Sequence, residues 1–519
     1  MPVDRSKDED ALDLDQIQGD VLVGLQKYFE AFVGFHIAEV PTFKAALKKL
    51  APEITTARTA YERELTLRLK KEAKSQVKYN FIGVNIGFTF SGLTVLGLPN
   101  LNSIKDNAFK LGLPARSAAL GDPPGAPAGW SMGSSATLHG LVIVTGPDED
   151  TVHDKVAELK LKFGAAWTVQ KTEVGKTREA HRGHEHFGYL DGVSQPAIRG
   201  KIDHLFPGVK FLHPSLNPDN NGQGLPGADL HWPGEFVFGY PEQDAHDVEG
   251  KLPAKDGGLP WMKNGTYMVF RKLNQLVPEF DKTVAAAANT LSMDAGLLGA
   301  RMVGRWKSGA PVELSPLQDN TPQGGDEMLN NDFEFGEDSA PPRRCPFSAH
   351  IRKAYPRNDI TPEGIRAAKP KPSEFELREL SEADTQKHRI MRRGIPFGEE
   401  LSPAEKEQRK TLDPEGRGLM FVCYQTSIEQ QFEFILSHWV NQPDFASDGT
   451  GEDPILGQHL VGGVGGGAGA RTRNFVGATV NYPGGPLGPA TALPTDFIVA
   501  TAGAYVFVPS ISALQTVLS

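Results

Sequence analysis

"TLHGLVIVTG" (137–146) is followed almost at once by "DEDTVHDKVAELKLKFG" (148–164). The first stretch is a near-continuous apolar run of strand length. In the second, Val152, Val156, Leu159 and Phe163 recur at helical spacing, and Asp148 stands where a helix cap belongs. Three other places repeat the pattern: "YFEAFVGFHI" (28–37) before "VPTFKAALKKL" (40–50), "GTYMVFRKL" (265–273) before "VPEFDKTVAAAANTL" (277–291), and "GLMFVCYQTS" (418–427) before "IEQQFEFILSHWV" (428–440). A last apolar strand, "FIVATAGAYVFVPS" (497–510), ends the series. Two units fall in each half of the chain. The expectation is an α+β protein of two ferredoxin-like domains, residues 1–225 and 226–519, each an antiparallel sheet with peripheral helices. A length of 519 residues, too great for one ordinary core, agrees with two domains. The connection between them is expected in the Pro/Gly/Asn-rich stretch 214–235, and the long acidic segment 307–344 reads as a functional or mobile loop.

Net charge is −10, which argues against nucleic acid or an anionic membrane as the main partner. No run of eighteen apolar residues occurs, so no membrane-spanning helix is expected. The acidic, polar N-terminus has no apolar signal core, which reads as cytoplasmic; an extracellular protein in mature form, or one exported by another route, has the same appearance. The one sequon, Asn264-Gly265-Thr266, is weak evidence for secretion. Cys345 and Cys423 are the only cysteines and leave one bridge or two thiols open.

Two motifs are set aside on context. Gly465-x-Gly467-x-x-Ala470 lacks the strand and helix that a dinucleotide turn needs. His181, His184 and His186 cluster, but without the spacing of a zinc site; a zinc hydrolase is the most distant reading. "EHFGYLDGVSQP" (185–196) is different. Gly188 and Gly192 bracket Asp191, so a rigid turn can aim one carboxylate; an Asx-turn serving only the fold is the bland reading. In "RRCPFSAHIRKAYPRND" (343–359), His350 lies between small apolar residues and the cations Arg352, Lys353 and Arg357, surroundings that suit an anionic, apolar-ringed cofactor. "HRIMRRGIPFGEE" (388–400) adds Arg392 and Arg393. In "GRGLMFVCYQ" (416–425), strand alternation puts Leu419, Phe421 and Cys423 on one face.

Gly188-x-x-Asp191-Gly192, "CPFSAHIRK", "RRGIPFG" and "GLMFVCYQ", in that order, resemble the dye-decolorizing peroxidases. The opening "LDLDQIQGDVLVGLQKYFE" (12–30) and the long insertions resemble their large fungal-type subgroup. The resemblance implies two ferredoxin-like domains with one haem b in the C-terminal domain. It also implies oxidation of dyes, phenols and related aromatics by hydrogen peroxide through a ferryl intermediate. His350 matches the proximal iron ligand, Asp191 the distal acid–base group, Arg392 the distal arginine, and Leu419 and Phe421 the apolar lining of the distal side. Asp453, in "GEDPILGQ" (451–458), is the candidate partner of the proximal imidazole, and Arg357 the candidate partner of a haem propionate. Trp439 matches a surface tryptophan that relays electrons from bulky substrates, an ordinary half-buried helix tryptophan being the bland reading; Tyr424 and Tyr482 are further redox-capable side chains. Asp359, Glu363 and Asp384 are the acidic residues considered for a surface manganese site. A non-enzymatic haem-binding protein on the same fold is the alternative, and a monomer or homodimer the expected assembly.

Overall fold

The first half of the chain contributes strands β1 (Phe29–Ile37), β2 (Gly83–Phe88), β3 (Gly140–Gly146) and β4 (Trp167–Lys176). The second contributes β5 (Thr266–Gln275), β6 (Met391–Arg392), β7 (Ile395–Gly398), β8 (Arg417–Gln425) and β9 (Ile498–Val508). This is a computed structural model. It describes residues 12–72, 80–198, 226–228, 230–243, 254–338, 344–361, 373, 381–446, 449–458, 473–477 and 491–519. The expected boundary at 225/226 lies at the edge of a stretch outside the described residues, as do Gly465, Gly467, Ala470, Glu363 and Tyr482.

Each strand–helix unit read from the sequence is present. Helix α1 (Val40–Leu50) follows β1, α2 (Glu149–Phe163) follows β3, and α3 (Val277–Leu291) follows β5. The stretch 428–440 after β8 is helical, wound largely as π-type turns (Ile428–Phe432 and Ile435–Val440). Caps fix where these helices start. Asp148 accepts the N–H of Thr151 at 2.8 Å, and Glu39 that of Thr42 at 2.7 Å.

The two halves do not form separate sheets. Their strands run β4-β1-β3-β2-β9-β5-β8-β6 in one antiparallel sheet, with β7 also paired to β8. The seam between halves is slight: β2 meets β9 at the single pair Phe88↔Phe507. At the far end β4 lies against β7, Gly175 facing Ile395 so closely that a Cβ there would sit 2.3 Å from its Cγ2. The sheet therefore curls back on itself. Phe32 of β1 and Phe270 of β5, far apart in strand order, meet with ring centroids 4.8 Å apart inside the curl.

Alternation assigns the two faces. Met420, Val422 and Tyr424 of β8 point into the barrel with Phe32, Met268 and Phe270. Cys423 points outward into the helix-covered core, with Leu419 and Phe421 on the same face. Both faces are covered, which is why the strands read as continuous apolar runs. Helix α4 (Ala295–Val303) and the short α5 (His350–Ala354) add to the outer layer of the second half. No described helix is long and apolar enough to cross a membrane. Cys345 and Cys423 are both free and buried.

Phe270→Ala removes the ring that spans the barrel interior. It is expected to cost about 3–5 kcal/mol of stability, read as a lowered urea midpoint.

Candidate active site

The outward face of β8 forms one wall of a cavity holding about 1420 Å³ of atom-free space, its open mouth included. Leu419 and Phe421 belong to that wall. Val303, Phe432, Ile435 and Leu436 add apolar surface, while Asp191, Arg305, His350 and Arg392 bring the polar groups. Five of the eight residues expected at the site, Asp191, His350, Arg392, Leu419 and Phe421, thus line one cavity, and a sixth, Asp453, touches it through His350.

His350 is the first residue of α5. Its Nδ1 lies 2.7 Å from Oδ2 of Asp453, a carboxylate shut off from solvent whose other oxygen accepts the N–H groups of Ile455 and Leu456. Those bonds hold Asp453 ionised and immobile. Burial works to lower the His350 pKa, but Asp453 outweighs it and the pKa stands above its ordinary value. With Nδ1 committed to Asp453, Nε2 is the nitrogen left for the cavity.

Asp191 is aimed by the loop that carries it. Gly188 (φ 93°) and Gly192 (φ 76°) take left-handed conformations that side chains resist, and Asp191 N–H bonds to Gly183 O at 2.8 Å. Its Oδ1 accepts the Gly192 N–H at 2.6 Å and Nη1 of Arg392 at 2.8 Å. Burial works to raise this carboxyl's pKa; Arg392, the Gly192 N–H and His350 outweigh that and hold it below the usual carboxylate range. Arg392 comes from β6, locked to β8 through the pair Cys423↔Arg392. Nη2 of Arg392 also donates to Ser194 O at 3.2 Å.

Arg305, which follows the left-handed Gly304 at the end of α4, carried no sequence motif, yet it lines the cavity. It is buried, donates to Ser194 Oγ and Asn331 Oδ1 at 2.9 Å each, and has no ion-pair partner among the described residues. Burial, then Arg357 and Arg392, push its pKa down to about 9. A cavity with an imidazole on its wall, apolar sides and a buried guanidinium without a counter-ion fits haem, whose carboxylates would supply that charge. Arg357 is not among the lining residues. It sits behind Arg305, sharing Asn331 Oδ1 at 2.8 Å, donating to the carbonyls of Gly227, Asn331 and Phe333, and lying 3.6 Å from Glu334 Oε1.

One expectation is corrected, and several side candidates find other places. Trp439 is not at the surface but 1% exposed, stacked on Phe445 at 5.4 Å, because the helix turns it into the core with Ile435 and Leu436. Asp359 is buried and engaged twice by Arg352 at 2.7 Å, which takes it out of any surface metal site, while Asp384 is partly exposed and lies 3.4 Å from Lys387. Tyr424 is buried in the barrel, donating its hydroxyl to Asp20 at 2.7 Å. Asn264 of the sequon is buried and accepts the Tyr240 hydroxyl. His184 and His186 place ring nitrogens on the carbonyls of Arg182, Lys307 and Phe397, and no cluster of three metal-ligating side chains occurs among the described residues.

A cavity that can hold a porphyrin beside both a proton-handling carboxylate and a fixed cation defines the class of haem peroxidases. Comparison with known proteins narrows the class. The dimeric α+β barrel domain of dye-decolorizing peroxidases matches residues 16–179, and the C-terminal domain of dye-decolorizing-type peroxidases matches 240–451. The dye-decolorizing peroxidase of Mycena epipterygia is 34% identical over 98% of this chain and 88% of its own length. An ancestral D-type dye-decolorizing peroxidase superposes with a TM-score of 0.77 at 35% identity, covering 98% of this chain and 100% of that one. A dye-decolorizing peroxidase solved with 2,6-dimethoxyphenol is 30% identical, with a TM-score of 0.72 and coverage of 98% and 99%. The chain belongs to the dye-decolorizing peroxidase family, beside its fungal members, and is an oxidoreductase that uses hydrogen peroxide. The family is haem-dependent.

Arg392→Leu is expected to leave the Asp191 carboxyl in the cavity without its cation, so its pKa rises. The ionised form exists above the pKa. It is lost at low pH in the native protein and at higher pH in the variant, moving the acid limb of the peroxide reaction upward.

Proposed function

We propose that this peroxidase oxidises dyes, phenols and other aromatic donors, and that His350, Asp191 and Arg392 are its working groups. The relative solved with 2,6-dimethoxyphenol supports phenols as donors. The observation that carries the reading is the convergence on one cavity of an imidazole braced by Asp453 and a carboxylate braced by Arg392. The prosthetic group in this reading is haem b, held without a covalent link. The two cysteines of the chain, 78 positions apart, cannot form a Cys-x-x-Cys attachment.

His350 Nε2 would hold the iron, and Arg305 would face a propionate. When bound, haem supplies the electrons that cleave the peroxide O–O bond and the oxidising power later passed to donors. The protein's share is proton handling and exclusion. Asp191, kept ionised by Arg392, takes the proton from one peroxide oxygen at its carboxylate and returns it to the departing oxygen. Arg392 offers fixed N–H groups where negative charge develops, without having to reorganise. Asp453 accepts the His350 Nδ1–H, fixing the ring's tautomer and raising its basicity toward iron. Leu419 and Phe421 keep water and bulky donors away from Asp191.

Donors too large for the cavity need a second route, and Trp439 is the relay in this reading. What supports it is a stack of rings. His388, part of the cavity lining, lies 3.7 Å from Phe434 between centroids, and Phe434 lies 4.4 Å from the exposed His438. Trp439 packs edge-on to His388 and Phe434 at 5.3 and 5.4 Å. A bulky donor would meet His438 and Phe434, and the electron would pass inward from there.

Asp191→Asn is expected to slow the reaction with peroxide about 10²–10⁴-fold while the Soret band persists; stopped-flow rates equal to the parent's would remove Asp191 from the mechanism. Trp439→Phe is expected to reduce turnover of an anthraquinone dye about tenfold more than that of 2,6-dimethoxyphenol. Equal losses on the two substrates would end the relay reading.

A further inference from the structure

Glu185 opens the loop that carries Asp191, and its carboxylate is turned into that loop. Oε1 accepts the Tyr189 N–H at 2.8 Å; Oε2 accepts the Phe187 N–H at 2.8 Å and Nε2 of Gln275 at 2.5 Å. The main chain closes around it: Glu185 N–H reaches Tyr189 O at 3.1 Å and Gly188 N–H reaches Glu185 O at 2.9 Å. Gln275, the last residue of β5, also accepts the His186 N–H at 3.3 Å. The loop is thereby strapped to the sheet half that carries Arg392. Glu185 and Gln275 both line the cavity.

We propose that Glu185 is a positioning residue for the peroxide reaction, its carboxylate acting through Gln275 and the loop N–H groups to set Asp191 against Arg392. The proposal rests on the reading of Asp191 as the proton-transferring group. Asp191 and Arg392 stand 201 residues apart and come from different halves, so nothing local keeps them at 2.8 Å. Ser194 and Gln195 hold Arg392 from the part of the loop after Asp191, and Glu185 supplies the constraint on the part before it. Three donors converge on its two oxygens, which only an ionised carboxylate satisfies in full; a glutamine offers one oxygen and turns its amide hydrogens toward a donor. Charge-assisted bonds are shorter and stronger than neutral ones, and here they hold in place the turn that Gly188 and Gly192 allow. The arrangement carries a cost. Burial, and the charge of Asp191, push the Glu185 pKa up, and no cation bonds its carboxylate among the described residues. A loop with no task beyond folding could close with neutral groups at lower desolvation cost.

The test uses the haem-loaded protein with Glu185→Gln, Glu185→Asp and Glu185→Ala, and Asp191→Asn alongside. Three quantities are read: the peroxide rate against pH, the association rate of cyanide with the resting protein, and the melting temperature. Cyanide arrives as HCN, which must give up its proton and place its charge beside Arg392, so it reports the Asp191–Arg392 couple without turnover. Glu185→Gln, which keeps shape and one acceptor, is expected to slow both rates about tenfold, and Glu185→Ala and Glu185→Asp to slow them further, the shortened carboxylate failing to span both N–H groups. Asp191 is faced by Arg392, His350 and Glu185. As its contact with Arg392 loosens, the acid limb should move to higher pH. Variants that melt earlier but keep the parental rates, cyanide association and acid limb would show a purely structural role and overturn the proposal. So would Glu185→Asp matching the parent, since charge without reach would then suffice. Should Asp191→Asn itself react like the parent, it is the reading of Asp191 that fails.

Discussion

A 2.8 Å contact between Asp191 and Arg392 joins the two halves of the chain inside the cavity, where the proposed mechanism moves a proton. Each partner alone would be a poor tool. Without Arg392, burial would drive the Asp191 carboxyl toward its protonated form, which cannot accept a proton. Without Asp191, Arg392 would leave a further uncompensated cation beside Arg305 and His350. The barrel makes the contact possible. Arg392 sits on β6, paired to the strand that sends Leu419 and Phe421 into the same cavity, so the sheet fixes the cation and the apolar wall together. Asp191 is delivered from the other half by a loop, and a loop needs straps. The Glu185–Gln275 contact is one. Gln195 is another, accepting the Arg392 N–H at 3.2 Å and donating to Arg392 O at 3.0 Å, and His186 on Phe397 O at 2.8 Å is a third.

Charge runs through the rest of the site in one direction. Arg305, Arg357 and Arg392 are drawn together in a region of low exposure, and Arg305 has no described anion to answer it. Arg392 is answered by Asp191 and Arg357 lies 3.6 Å from Glu334, so Arg305 is the buried cation to which an added anion would bring the most. A propionate would supply that anion. Asp453 is the counterweight on the imidazole side, where a carboxylate held by two N–H groups keeps His350 oriented. In the proposed reading, Arg305 and His350 would mark where the cofactor's negative rim and its metal belong.

What the sequence disclosed follows from how local each signal is. Strand and helix periodicity depends on neighbours in the chain, and four strand–helix units were legible almost to the residue: Val40–Leu50 and Val277–Leu291 begin and end where the apolar spacing puts them. The joining of both halves into one sheet was not legible, because the seam is a single residue pair, Phe88↔Phe507, and leaves no pattern in either strand. Site residues embedded in distinctive runs, such as Asp191 between its glycines, stood out. Arg305 did not: an arginine after a helix-ending glycine resembles many surface arginines, and only the fold reveals that it enters a cavity. Glu185 was visible as a letter of its motif, but of its three inward bonds the one that ties the loop to the sheet comes from Gln275, 90 residues away.

Trp439 shows how a resemblance can outweigh a plainer signal. Ile428, Phe432, Ile435, Leu436 and Trp439 are spaced i, i+4, i+7, i+8, i+11, an apolar stripe that places the tryptophan inward. The structure follows the stripe, and all five side chains are buried. Burial changes what an electron relay at this position requires. An exposed indole can touch a donor directly; a buried one needs other side chains to bridge the gap, and here His438 and Phe434 occupy it. Burial pushes the His388 pKa down to about 4, so this inner ring stays neutral through the mildly acidic range and adds no cation beside an indole that must lose an electron. A positive charge there would raise the energy of an oxidised tryptophan. The same packing that hides Trp439 from donors therefore keeps its surroundings permissive for holding the hole it would relay.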